Sequence, residues 1–209
     1  LGRKPMKLYH TPNAPNPDRV TFFLRAKGKL DAVELEEVSI MKQEHKTKEY
    51  RDVSPFAQVP ALVLDDGTKI TESRAICTYF ENLFPEPNLM GSDAKEKALI
   101  EMWDRRVEMM FFVQFATWFR NAHEMMAPLE VPQSAESAAK GEKAARKMAQ
   151  RIDKHLAQHE FLAADRFSIA DITLFITCGF CRVMKWAPHK EHENLGRWYD
   201  AMKVRGFAS

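Results

Sequence analysis

The texture of the chain changes once, and that change limits its fold more than any single motif. From residue 7 to residue 84 strand and helix signals alternate, whereas from residue 93 onward the periodicity is helical throughout. Lys7 to His10 read as a short strand. Asn16-Pro17-Asp18 supply an N-cap residue, a proline at the first helical position and an acid in the first turn, opening a helix that Gly28 ends after Lys27. Val33 to Ile40 alternate as a second strand. Ala61 to Leu64 and Thr68 to Ile70 flank Asp65-Asp66-Gly67, whose Asp-Gly is a hairpin signal. Glu72 to Phe84 carry Ile76, Tyr79, Phe80 and Leu83 at helical spacing, and Pro85 and Pro87 stop that helix.

An order of β-α-β-loop-β-β-α within about 80 residues is too short for a doubly wound sheet. It predicts an α/β N-terminal domain of thioredoxin-like layout over residues 6–85, with a four-stranded mixed sheet and helices packed on it. Pro85 to Ser92 form a linker. Asp93 to Met126, Ala135 to Gln158, Ser168 to Arg182 and Asn194 to Val204 then read as the helices of an all-α C-terminal domain over residues 92–209. Leu1 to Pro5 look detached from the first strand, with Met6 as a candidate native start, and no secretory signal pattern opens the sequence.

Composition narrows the function classes. With 31 basic against 29 acidic side chains and a formal charge of +2, nothing points to a nucleic-acid or anionic-membrane partner. The most apolar stretch, Met109 to Phe119, is interrupted by Gln114 and Thr117 and is too short to span a bilayer. Cys77, Cys178 and Cys181 form no disulfide framework, which fits a reducing, cytoplasmic location. Cys178-Gly179-Phe180-Cys181 lies late in a helix and not at a strand-to-helix turn, so these cysteines read as structural or incidental; a zinc site would need two further well-spaced ligands, and no metal is expected.

Two short stretches carry chemistry. In Phe56-Ala57-Gln58-Val59-Pro60-Ala61-Leu62 a proline opens a strand although it cannot donate to a ladder. A cis Val59-Pro60 bond would turn the Val59 N–H and C=O outward to hold an extended peptide as an added strand; Pro60 as the start of an edge strand is the plain alternative. Thr71-Glu72-Ser73 stands at a strand-to-helix junction, where free N–H groups and the positive dipole end suit a carboxylate and Glu72 suits an ammonium. Together they describe the α-amino-acid end of a peptide ligand; ordinary capping is the alternative.

The segment from Glu44 to Ile76, containing "EHK", "FAQVPAL", "DDG" and "ITESRAI", resembles the glutathione site of the cytosolic glutathione S-transferase family, in its plant Phi and insect Delta classes. "SIADITL", Ser168 to Leu174, resembles the capping box and buried Asp of that family's C-terminal domain, and the likeness runs from Met6 nearly to the last residue. The resemblance implies a glutathione transferase fold, glutathione as co-substrate and a homodimer. Carried over by position, Val59 beside cis-Pro60 would bind the cysteinyl backbone, Glu72 and Ser73 the γ-glutamyl end, and Arg74 matches an Arg found there in several classes. Gln58 and His45, with Lys46 as the weaker candidate, match positions that reach the glutamyl or glycyl ends.

The thiol-activating group departs from the family pattern. In Ser-type classes the hydroxyl stands five residues before the Arg of an Arg-Val pair; counting back from Arg19 gives Ala14. Ala14-Pro15-Asn16 instead resembles the Thr-Pro-Asn of the bacterial Nu-like transferases. It nominates the Asn16 amide as thiol donor, with simple capping as the competing role. Thr11, Asn13 and His10 are other polar groups on the loop. Met109, Phe112 and Phe115, from an aromatic cluster on the first C-terminal helix, are candidates for an apolar co-substrate site. The implied reaction is attack by glutathione thiolate on an apolar electrophile, as in detoxification. The alternatives are glutathione-dependent reduction of disulfides or peroxides, and a non-catalytic glutathione-binding or interaction module.

Overall fold

A computed structural model describes residues 6–207, so Leu1 to Pro5 lie outside the described residues. Backbone contacts divide the chain into two compact units, Leu1–Asn88 and Leu89–Ser209. The first unit is built on β1 (Met6–His10), β2 (Val33–Glu37), β3 (Ala61–Val63) and β4 (Lys69–Thr71), with α1 (Pro15–Ala26), α2 (Lys48–Val53) and α3 (Ser73–Leu83). The strands lie in the order β2-β1-β3-β4. β1 runs parallel to β2 and antiparallel to β3, and β4 is antiparallel to β3, so the sheet is mixed.

Leu8 and Leu62 are fully buried and lie opposite each other in the β1–β3 register. The hairpin forms over Asp65-Asp66-Gly67: Gly67 takes a φ of 86°, and the Thr68 N–H donates to Asp66 Oδ1 at 2.8 Å. α1 and α3 pack against each other. Val20, Phe23 and Leu24 on α1, and Ile76, Cys77 and Phe80 on α3, are completely buried at helical spacing. Each such large apolar side chain contributes roughly 1.5–3 kcal/mol by leaving water. Lys27 closes this unit: its buried ammonium pairs with Glu81 at 2.6 Å and donates to the carbonyls of Phe84 and Pro87 at 2.8 Å. Those carbonyls lie just past the end of α3, where helical carbonyls lack partners and the dipole favours a cation.

β2 and the segment that follows it differ from the sequence expectation. β2 stops at Glu37, short of Ile40, because after the Val38 N–H donates to His10 O at 2.8 Å the Thr11 hydroxyl takes the Val38 carbonyl at 2.5 Å and ends the ladder. α2 was not expected at all. Tyr50 is its only buried residue, so no apolar stripe marks it, and it is launched by Thr47 Oγ1 accepting the Tyr50 N–H.

The second unit contains α4 (Ala94–Val107), α5 (Val113–Ala122), α6 (Ala135–Leu156), α7 (Ile169–Phe180), α8 (Pro188–Glu191) and α9 (Glu193–Met202). The single helix expected over Asp93 to Met126 is broken by a π-helical turn at Glu108–Phe112 between α4 and α5. Asp93 and Ser134 cap α4 and α6. Residues 169–178 of α7 are all buried, as suits a central helix that is apolar on every side. Its capping box holds a fully buried Asp171, whose carboxylate accepts from Ser168 N and Oγ, Leu162 N and Trp198 Nε1 at 3.1–3.2 Å. Burial pushes this carboxyl up to about 6 against the pull of those donors. Cys178 and Cys181 are reduced and buried, and burial raises both thiols well above their usual range.

Replacing Asp171 with Asn places an NH2 group against donors, and urea unfolding should show a loss of about 3 kcal/mol. An unchanged midpoint would show the network to be ornamental. α5 and α6 touch closely at Gly141, where an added Cβ would stand 2.7 Å from Gln114 O and 2.8 Å from Trp118 N. Gly141→Ala should therefore destabilise by roughly 1–3 kcal/mol despite its better helix propensity, a sign that thermal melts can check.

Candidate functional site

The strand register brings the candidate loops to one end of the sheet. Tyr9 pairs with Ala61 and Ala61 with Thr71, while His10 pairs with Glu37. The loop after β1, the residues following β2, the Gln58-Val59-Pro60 approach to β3 and the step from β4 into α3 all leave from that edge. The amino ends of α1 and α3 follow directly on two of these loops. Two positive dipole ends therefore face the same side of the sheet.

α1 starts earlier than its sequence signals suggest. Ala14 is the N-cap in extended conformation (φ −96°, ψ 131°) and Pro15 is the first helical residue, so Asn16 is not the cap. Pro15 carries the same preset φ as Pro17 and comes first. Asn16 instead occupies the second helical position, exposed to solvent. Pro15 and Pro17 have no N–H, and the Ala14 N–H is bonded to Thr11 O at 3.2 Å. Among the described residues, the Asn16 N–H is thus the one unpartnered backbone donor in the first turn of α1. The Thr11 hydroxyl is committed to Val38 O, and burial holds the His10 imidazole below its usual range. Asp18, by its position in the sequence only a first-turn acid, has its carboxyl raised to about 6 by burial while it accepts the Asn13 N–H.

The Val59–Pro60 peptide is cis. No described residue takes the Val59 N–H or C=O, and Val59 is half-buried while Pro60 is buried. Gln58 differs: its side chain is exposed, whereas its carbonyl accepts from Tyr50 Oη at 2.8 Å and Ser54 Oγ at 2.9 Å. Its N–H donates to Ser54 Oγ at 3.2 Å. Nothing in the sequence marks Tyr50 or Ser54, because a lone Tyr and a lone Ser on an unpatterned segment carry no signal.

Glu72 caps α3 with φ 69° and ψ 116°, outside the left-handed region that non-glycine residues tolerate. Such a conformation costs on the order of 1–3 kcal/mol and is often found where a site is being shaped. Glu72 is exposed, and Ser73 behind it is buried. The buried Arg19 guanidinium donates to Ser73 Oγ at 2.9 Å, which leaves the serine hydrogen available for a ligand. Arg74 reaches Thr78 Oγ1 at 3.0 Å on the surface of α3. His45 lies in a single turn at Glu44–Lys46; its Nδ1 is buried without a hydrogen-bond partner, and burial with the neighbouring Lys46 lowers its pKa. Lys46 itself is exposed.

The co-substrate candidates on the helical unit part company. The π turn leaves Met109 59% exposed, beside a cavity of about 180 Å³ also lined by Met110, Gln114 and Met148. Phe112 is half-buried against Phe180, with ring centroids 6.1 Å apart. Phe115 is wholly buried among Trp118, Phe180 and Trp186 and has no surface to offer a ligand. Its aromatic neighbours already fill the volume around it.

Comparison with known proteins follows the same division of the chain. Residues 8–88 match the glutathione S-transferase N-terminal domain and residues 107–205 the glutathione S-transferase C-terminal domain. The chain is 32% identical over 204 residues to glutathione S-transferase 2 of Saccharomyces cerevisiae, covering 97% of this chain and 88% of that protein. It is 35% identical over 176 residues to glutathione S-transferase 3 of Zea mays, covering 80% and 74%. The fold superposes with a TM-score of 0.91 on the crystal structure of a glutathione S-transferase domain-containing protein from Marinobacter aquaeolei, at 35% identity and covering 97% of this chain and all of that one. The chain belongs to the glutathione S-transferase family.

Proposed function

We propose that this protein binds glutathione at the sheet end described above and uses its thiolate against an apolar electrophile. The observation that carries the reading is the unpartnered Val59 backbone beside the amino end of α3, with Glu72 at the cap. In this arrangement the Val59 N–H and C=O pair with the cysteinyl backbone of glutathione as an added strand. The γ-glutamyl carboxylate meets the Ser73 hydroxyl and the first-turn amides of α3, and Glu72 takes the ammonium. Arg74 adds positive charge beside that carboxylate. His45, Lys46 and the Gln58 side chain serve the outer ends of the ligand.

The thiol would face the amino end of α1. The Asn16 N–H and side-chain amide, with the helix dipole, favour thiolate over thiol, and no hydroxyl stands at Ala14 to share the task. The thiolate attacks the electrophilic carbon, a C–S bond forms and the leaving group departs with the electron pair. Met109 and Phe112 supply apolar surface for the co-substrate, making the helical unit the electrophile-binding domain. Ala14 keeps glutathione-dependent disulfide exchange as the second reading, because that chemistry also begins from the thiolate. A homodimer and a cytoplasmic location belong to the same proposal, supported by family membership and by three reduced, buried cysteines. No described helix is long and apolar enough to cross a membrane.

Calorimetric titration with glutathione and glutathione disulfide, run beside turnover of a chlorinated aromatic and of a small disulfide, tests the reading; absence of binding to either form sinks it. Glu72→Gln removes the charge facing the ammonium on an exposed residue. It should weaken glutathione binding by about tenfold or more while leaving the unfolding midpoint within the usual surface-mutation range. Asn16→Asp separates stability from function. A carboxylate in the first turn should stabilise α1 by about 0.3–1 kcal/mol, yet it repels the thiolate, so kcat/KM should fall and its acid limb move to higher pH. A pH profile that does not move would take Asn16 away from the thiol.

A further inference from the structure

The peptide that joins Gln58 to Val59 has its two sides in different company. On the Gln58 side, the carbonyl accepts two hydroxyl hydrogens, from Tyr50 Oη and Ser54 Oγ, and the Gln58 N–H is held by the same Ser54 oxygen. On the Val59 side, the N–H has no partner among the described residues. This peptide is trans, unlike the Val59–Pro60 bond that follows it. In a planar trans peptide the C=O and N–H point in opposite directions, so fixing one fixes the other.

We propose that Tyr50 and Ser54 are positioning residues: by holding the Gln58 carbonyl inward they aim the Val59 N–H outward at an extended peptide ligand. The inference rests on the reading of Val59 as the backbone partner of glutathione, and it adds residues that do not touch the ligand. With both carbonyl lone pairs occupied, the peptide plane cannot rotate without breaking two hydrogen bonds. Ser54 is fully buried and Tyr50 6% exposed, so water does not compete well for either bond.

The two hydroxyls are themselves anchored. The Tyr50 ring stacks edge-on against Tyr9 of β1, with centroids 5.8 Å apart. The helix carrying Tyr50 is pinned to β4 by the Lys69 ammonium, which donates to Asp52 O at 2.5 Å. The Ser54 N–H closes the helix on Tyr50 O at 2.8 Å. α2 thus acts as a bracket that transfers the rigidity of the sheet to the one peptide plane that meets the ligand. Without it, that plane would have to be ordered during binding, and the lost entropy would appear as weaker affinity with little effect on the bound thiolate.

The test compares wild type with Tyr50→Phe, Ser54→Ala, the double variant and Ser54→Thr. In ligand-free protein, 15N relaxation should give the Val59 amide an order parameter near the rigid value of about 0.85, falling below about 0.6 in the double variant. Calorimetry should show the glutathione Kd rising about threefold in each single variant and about tenfold in the double one, with kcat at saturation held. Ser54→Thr keeps the hydroxyl and should restore both readouts. A folded double variant with an unchanged Val59 order parameter and unchanged Kd overturns the clamp. Should the double variant not fold, the single variants carry the same comparison. If wild type itself fails to bind glutathione, the functional reading falls, and the relaxation data still decide the clamp on their own.

Discussion

The pairing of Tyr9 with Ala61 and of Ala61 with Thr71 is the constraint from which the rest of the candidate site follows. A slip of one residue in either pair would turn Leu8 or Leu62 out of the core, so burial enforces the register. The hairpin at Asp66-Gly67 removes the remaining freedom between β3 and β4. With the register set, the chain leaves β1 and β4, and enters β3, at one edge. Loops distant in sequence meet there without any interaction of their own being required.

The same edge explains an unusual distribution of prolines. Pro15 and Pro17 would weaken most helices, but in the first turn they remove N–H groups that have no helical acceptor. Among the described residues, what remains is a single unpartnered first-turn donor, at Asn16, on the positive end of the helix. α3 has no such stripping, and its start is braced through the Arg19–Ser73 hydrogen bond, which ties it to α1 across buried surface. Glu72 is held in a costly conformation between the end of a ladder and the start of a helix, and neither side can relax without disturbing the other.

The helical unit solves a different problem, that of burying polar groups inside an apolar core. α7 is enclosed on all sides, and its exposed-looking start is made compatible with burial by Asp171, which gathers four donors at one carboxylate. Phe115, Trp118, Phe180 and Trp186 fill the space beside it with mutually angled rings, an arrangement that leaves Met109 and Phe112 nearer the surface.

Much of this was legible in the residues themselves. Asp-Gly between two apolar runs announces a hairpin because glycine alone adopts the turn's positive φ without strain. Ser168 and Asp171 announce a helix start because both ends of the capping box are written three residues apart in the chain. Val59-Pro60 and Glu72-Ser73 stand out as a pair because their residue types suit an extended peptide and its charged end. What local pattern could not reveal was anything decided by competition or by distance. Pro15 and Asn16 both suit the start of α1, and which one comes first depends on the turn that Thr11 and Ala14 close. α2 has one buried side chain and hence no period to read. Phe115 belongs to the same apolar stripe as Phe112, and only the π turn and the rings of Phe180 and Trp186 assign one of them to the core. The sequence by itself determined the periodic elements and the chemistry available to them, since both rest on neighbours along the chain. Only the tertiary structure decided which backbone groups stay unpaired, because a donor is free or bound according to residues that folding brings to it from elsewhere.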